Sequence, residues 1–198
     1  MRQETGSNPN FADKKVSIQV KLGGLSFSAE RVVVADNAEL VEFVIDTPRV
    51  LLAPREEVSL DTAGELLRLV GKPCHTNEQC VCSDMQADII AVIAIDSQTL
   101  SQIIEKWGSR AIFTSPLLDM RHSEEHCLVV DTTDKVCYMR LFEDGLLRAE
   151  AYEAATSEDA LYYVTEWLGI RKDIPIFIKG NNNTAKLLRK YFKQVICE

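Results

Sequence analysis

The chain has 198 residues, 46% hydrophobic and 26% charged, with a formal net charge of −8. That length and balance suit one large or two small globular domains and exclude a wholly disordered chain. The acidic excess disfavours nucleic acid and anionic membrane as partners, since both require a basic surface.

The longest apolar run, residues 89–95, is too short to span a bilayer as a helix. Residues 1–15 are polar, with Gly6, Ser7, Asn8, Pro9 and Asn10 at their centre, and lack the apolar middle of a secretion signal. They read as a flexible tail on a cytoplasmic protein. Six cysteines over this length do not make a disulfide scaffold. Cys127 and Cys137 fall in apolar runs, where free thiols behave as small hydrophobes.

Val16, Ile18, Val20 and Leu22 alternate with Ser17, Gln19 and Lys21, the pattern of a strand with one buried face. Gly23 and Gly24 turn the chain into a second strand over 25–34, and Asp36-Asn37 turns it into a third over 40–45. Residues 50–53 add a short piece of sheet before Pro54. Asp61 reads as the N-cap of a helix carrying Leu66, Leu67, Leu69 and Val70, which stops at Gly71. Residues 72–86 are polar and read as an exposed loop. Residues 89–95 are apolar on both faces, as in a central strand covered on both sides. Asp96 caps the next helix, whose Leu100, Ile103, Ile104 and Trp107 form one apolar stripe. A brief strand over 111–113 follows, then a short helix opened by Ser115-Pro116.

The charged residues 121–126 divide a first half, 16–120, from a second, 121–198. In the second half, strands are expected over 127–130, 136–142 and 146–152, with Asp144-Gly145 as a hairpin turn that needs positive φ. Ser157 caps a helix with Leu161, Val164 and Leu168 on its buried face. A strand over 174–178, a helix bearing Leu187, Leu188 and Tyr191, and a strand over 195–197 complete it. Both halves thus read as one β-β-β-α-β-α plan, more loosely in the first.

Three antiparallel strands followed by α-β-α is the ribonuclease H-like arrangement, and two such halves side by side resemble the actin-like ATPase fold, an α/β class. The segments "SIQVKLGGLSF", "VLLAPREEV" and "ALYYVTEWLGI" resemble an uncharacterised bacterial family with that fold, found mainly in Bacteroidales. The resemblance covers nearly all of the chain after the tail. It implies a phosphate-binding cleft between the halves. In active members of the superfamily the first hairpin reads Asp-x-Gly, and its carboxylate helps hold Mg²⁺. The matching residues here are Lys21, Leu22 and Gly23, so the acid has become a cation. The second hairpin, normally Asp-x-Gly-Gly, reads Asp131, Thr132, Thr133 and Asp134, without the glycines that let backbone approach phosphate. A late Gly-Gly turn near the adenosine is matched only in part by Lys179, Gly180 and Asn181. The favoured expectation is therefore a non-catalytic protein-binding or scaffold protein, with Lys21 on the polar face of its strand. The alternative is an ATP- and Mg²⁺-binding relative using Gly23, Gly24, Asp131, Thr132, Thr133 and Gly180. Two-metal nuclease chemistry is disfavoured because too few carboxylates converge.

Cys74, His75, Cys80 and Cys82 are potential zinc ligands, but their spacing is not that of paired knuckles, and reduced thiols are expected. The run from His122 to His126 matches the H-x-x-E-H pattern of a metallopeptidase group, yet it precedes a strand and reads as a chance match. Trp107 and Trp167 read as helix-packing residues.

Overall fold

The computed structural model describes residues 15–21, 38–122 and 125–198. Strand β1 (Lys15–Val20) lies beside β2 (Leu40–Ile45), with Val16 opposite Val41 and Val20 opposite Ile45. The two run parallel, whereas sequence alternation suggested an antiparallel meander. A parallel pair needs a connection of about a dozen residues or more, and residues 21–39 supply that length. The expected second strand over 25–34 lies outside the described residues.

Strands β3 (Val50–Pro54), β4 (Glu78–Cys82) and β5 (Ile89–Asp96) form an antiparallel sheet with β5 in the middle. Helix α1 (Ala63–Leu69) packs on one face of it. As its unbroken apolar run predicts, β5 is buried on both sides. Ile90, Val92 and Ala94 join Leu67 of α1, while Ala91, Ile93 and Ile95 enter the main core. β4 falls where an exposed loop was expected. Its apolar residues are Cys80, Val81 and Cys82, and the cysteines pack as small hydrophobes against the α1 cluster. Lys72 also departs from that expectation. It is largely buried, and its ammonium donates to the Ala151 carbonyl at 2.8 Å.

Helix α2 (Ser97–Trp107) begins at Asp96, whose carboxylate accepts from the Thr99 N–H at 2.9 Å, and leads into β6 (Ala111–Thr114), parallel to β2. The expected short helix is a single 3₁₀ turn, Pro116–Leu118, capped by Ser115.

Strands β7 (Cys127–Thr132), β8 (Val136–Phe142) and β9 (Leu146–Glu153) make an antiparallel meander. Helix α3 (Ser157–Leu168), β10 (Ile176–Lys179), α4 (Asn182–Leu188) and β11 (Val195–Cys197) follow. The sheet order β11-β10-β7-β8-β9, with β10 and β11 parallel to β7, is the ribonuclease H-like arrangement. Thr156, rather than Ser157, caps α3, and Asp159 returns the bond in a capping box.

All seven residues of β8 are buried because the strand is a shared wall. Cys137, Met139 and Leu141 face α3 and α4, while Val136 and Tyr138 enter the core built around β1, β2 and β5. No helix among the described residues is long and apolar enough to cross a membrane.

Candidate functional site in the cleft between the sheets

Parallel strands β7 and β10 end side by side at Thr132 and Lys179, with the α3 and α4 N-termini next to them. In open α/β sheets, ligand crevices form at such C-terminal strand ends. A pocket of about 430 Å³ lies there, lined by Thr132, Thr133, Asp134, Thr156, Gly180 and Asn181. A second cavity of about 710 Å³ runs along the junction of the two sheets, past Gln19, Glu42, Asp119, Asp131, Tyr138 and Lys179.

The ends of β1 and β2 meet the β7–β8 turn across this junction. The Tyr138 and Thr133 hydroxyls donate to Asp46 Oδ1 at 2.8 and 3.1 Å, and the Thr47 N–H donates to the Tyr138 hydroxyl at 2.8 Å. Burial pushes the Asp46 carboxyl above the usual range, against the opposing pull of those two bonds. The same burial holds the Tyr138 hydroxyl well above its ordinary value.

The folded state therefore binds the Asp46 proton more tightly than the unfolded chain does. Between the ordinary carboxyl value and the raised one, this group makes stability fall as pH rises. Asp46→Asn keeps an acceptor for both hydroxyls but removes the titration. Denaturant unfolding across that acid window should show this falling component missing from the variant.

The residues singled out from sequence have the following places. Gly23 and Gly24 lie outside the described residues. Lys21 does not merely face water. Its ammonium bonds Asp134 Oδ2 at 2.8 Å, with the two side chains 53% and 78% exposed. That contact raises the lysine pKa and lowers the aspartate's. Asp131 is ion-paired with Arg140, whose side chain is 1% exposed and also donates to the Pro116 carbonyl. The Thr132 hydroxyl donates to the Lys179 carbonyl at 3.2 Å and accepts the Asn181 N–H at 2.9 Å. The Thr133 hydroxyl goes to Asp46. Gly180 has φ +107°, and a Cβ there would stand 2.0 Å from the Thr132 carbonyl oxygen. Five of the candidates, Lys21, Asp131, Thr132, Thr133 and Gly180, thus come together, and each is engaged with another part of the chain.

Sequence reasoning missed Asp46, Tyr138 and Arg140 as members of the cleft. Arg140 left a signal, a lone cation inside the apolar run VCYMRLF, which calls for a buried partner. Asp46 and Tyr138 left none beyond a strand-end acid and a buried phenol.

The other constellations resolve simply. Cys74 and Cys80 Sγ atoms are 3.0 Å apart and face the α1 cluster, while His75 is exposed. These four residues do not converge as a ligand set. His122 and His126 do not converge either. His122 is bonded to Glu125 and Glu198, while His126 is exposed beside Glu143. Trp107 packs edge-on against Phe43, and the Trp167 indole N–H donates to the Tyr152 hydroxyl at 2.9 Å.

No protein-family model and no curated protein sequence matches the chain. Solved structures do. The cytoplasmic domain of EpsL, an inner-membrane component of the Vibrio cholerae type II secretion system, is 10% identical, with a TM-score of 0.46 over 83% of this chain and 81% of that one. The AlfA filament bound to AMPPNP is 12% identical, with a TM-score of 0.42 over 85% of this chain and 56% of that one. Both superpose too loosely to bear on the fold. A Bacteroides thetaiotaomicron protein described as having an actin-like ATPase fold and unknown function is 17% identical, with a TM-score of 0.70 over 98% of this chain and 94% of that one. The chain has the actin-like ATPase fold.

Proposed function

We propose that this is a non-catalytic binding or scaffold protein whose phosphate- and metal-holding positions have become internal contacts, and that its partner is a protein. One observation carries the reading: Asp131 is held by the buried guanidinium of Arg140. A carboxylate already neutralised by an internal cation is a poor ligand for Mg²⁺. Around it, Lys21 engages Asp134, and the Thr132 and Thr133 hydroxyls are committed to Lys179, Asn181 and Asp46. Metal-assisted phosphoryl transfer needs free ligands for the ion and open backbone amides for the phosphates. A protein partner fits the acidic charge better than nucleic acid or anionic membrane does. The six cysteines are unbridged, which suits a reducing compartment such as the cytoplasm.

The competing reading, an ATP- and Mg²⁺-binding relative, draws on the pocket of about 430 Å³ at the ends of β7 and β10. Thermal melting with ATP, ADP or AMP, each with Mg²⁺, separates the two. Our reading expects shifts below about 1 °C at millimolar nucleotide. A rise of several degrees with any of the three would replace it with the nucleotide-binding reading.

A further inference from the structure

The H-x-x-E-H match assembles a different group from the one its pattern implies. His122 stacks on Phe177 of β10, with ring centroids 4.3 Å apart. Its Nδ1 lies 3.0 Å from Glu125 Oε1 and its Nε2 lies 2.8 Å from Glu198 Oε1. Cys127, at the start of β7, is 1% exposed. One donor atom from each of His122, Glu125 and Cys127 falls within 4.8 Å of the others. The sheet fixes Cys127, Phe177 and Glu198, since the first two are strand residues and the Glu198 N–H donates to the Ile178 carbonyl at 3.0 Å. His122 and Glu125 precede β7, with the Glu125 N–H donating to the His122 carbonyl at 3.0 Å.

Two carboxylates stand beside the imidazole and the thiol. Burial, helped by the charges of Glu125 and Glu198, pushes the Cys127 thiol up to about 11. Burial pulls the His122 ring the other way, but the same two carboxylates outweigh it and raise its pKa. Two acids thus converge on a thiol and an imidazole, with Arg121 reaching Glu198 from outside at 4.0 Å.

We propose that His122, Glu125 and Cys127 form a site for a borderline divalent cation of the zinc type, with Glu198 orienting the histidine. Nitrogen, sulfur and carboxylate oxygen are the donors such an ion takes. Nδ1 faces Glu125 and serves as the ligand atom, while Nε2–H donates to Glu198, the carboxylate–histidine–metal pattern of known sites. Metal bonds of about 2.0–2.3 Å place tetrahedral ligand atoms about 3.3–3.8 Å apart. The present separations, 3.0 Å between Nδ1 and Glu125 Oε1 and no more than 4.8 Å for any pair in the group, bracket that range. Loading exchanges a proton for the ion: M²⁺ displaces the proton of the Cys127 thiol, which passes to solvent. Three protein ligands leave a fourth position to water. The site is separate from the cleft and stands whether or not a nucleotide binds there.

The test is titration of the chelator-stripped full chain with Co²⁺ and Zn²⁺. We expect one ion per chain, a thiolate-to-cobalt charge-transfer band, and proton release on loading. Cys127→Ser should remove the band, and His122→Gln should remove binding. Glu198→Gln should weaken binding about tenfold. The double variant Cys74→Ser/Cys80→Ser should keep the band. Because Cys127 is buried, the His122 and Glu198 variants carry the test if Cys127→Ser unfolds. Failure of the stripped chain to take up a stoichiometric ion would leave a hydrogen-bonded histidine–carboxylate network only and overturn the proposal. So would a band that survives the His122 variant or vanishes with the Cys74/Cys80 pair.

Discussion

Arg140→Met should cost the protein about 3–5 kcal/mol of folding stability. Arg140 sits in the middle of a strand whose every residue is buried, and its guanidinium is divided between the Asp131 carboxylate and the Pro116 carbonyl. Its removal strands Asp131, only 14% exposed, without a counter-charge in a poorly solvated junction. Domain stabilities are about 5–15 kcal/mol, so the loss would be a large share of the total. The double replacement Arg140→Met/Asp131→Leu removes both charges and should recover most of it, because a buried pair as a whole adds little net stability. Urea unfolding of the four proteins in this cycle gives the coupling directly. A single-variant cost below about 1 kcal/mol would mean that water, not Arg140, balances Asp131.

Gly180→Ala should cost about 3 kcal/mol or more. The added Cβ meets the Thr132 carbonyl oxygen at 2.0 Å and the Thr132 hydroxyl at 2.7 Å. The hydroxyl has rotational freedom, but the carbonyl belongs to the backbone of β7 and cannot yield without opening the β7–β10 pair. Positive φ adds its own strain. Gly169→Ala supplies the control. Gly169 also has positive φ, but nothing stands within 4 Å of its Cβ position, so backbone strain of about 1–2 kcal/mol is the whole expected cost. Thermal or urea unfolding of both variants measures the difference. Equal losses would show that the approach to Thr132 is not what requires glycine. The contrast bears on function, because a glycine required by the meeting of two strand ends need not signal a phosphate beside it.

Much of the fold was legible where burial follows local periodicity. The Asp144-Gly145 turn announces the β8–β9 hairpin, and both residues adopt the positive φ it demands. The unbroken apolar run of β5 announced a strand covered on both faces. Strand direction was not legible at the start of the chain, because alternation shows which residues face the core but not whether a neighbour runs up or down. β4 was hidden because two of its three packing residues are cysteines in a polar setting. Helix caps moved by one residue at α3, where the Thr156–Asp159 reciprocal pair outcompetes Ser157. The cleft was half legible. Asp131, Thr132 and Thr133 are adjacent in the chain, and strand-end logic finds them. Tyr138 and Arg140 come from β8 and Asp46 from the end of β2; Arg140 meets Asp131 across the β7–β8 pair, and Asp46 meets Tyr138 only because the two sheets pack together.

The central claim is that the strand-end groups of the cleft are already engaged with one another, Asp131 through Oδ2 with Arg140 and the Thr132 and Thr133 hydroxyls with Lys179, Asn181 and Asp46, while Asp131 Oδ1 has no hydrogen-bond partner among the described residues. Amide and methyl NMR of the labelled chain, titrated with Mg²⁺ and ATP, examines those groups individually. The account predicts that the Thr132, Thr133 and Asn181 amides stay in place through millimolar nucleotide, with Thr132 still accepting the Asn181 N–H. Saturable, Mg²⁺-dependent shifts confined to those residues and to Asp131 would contradict it.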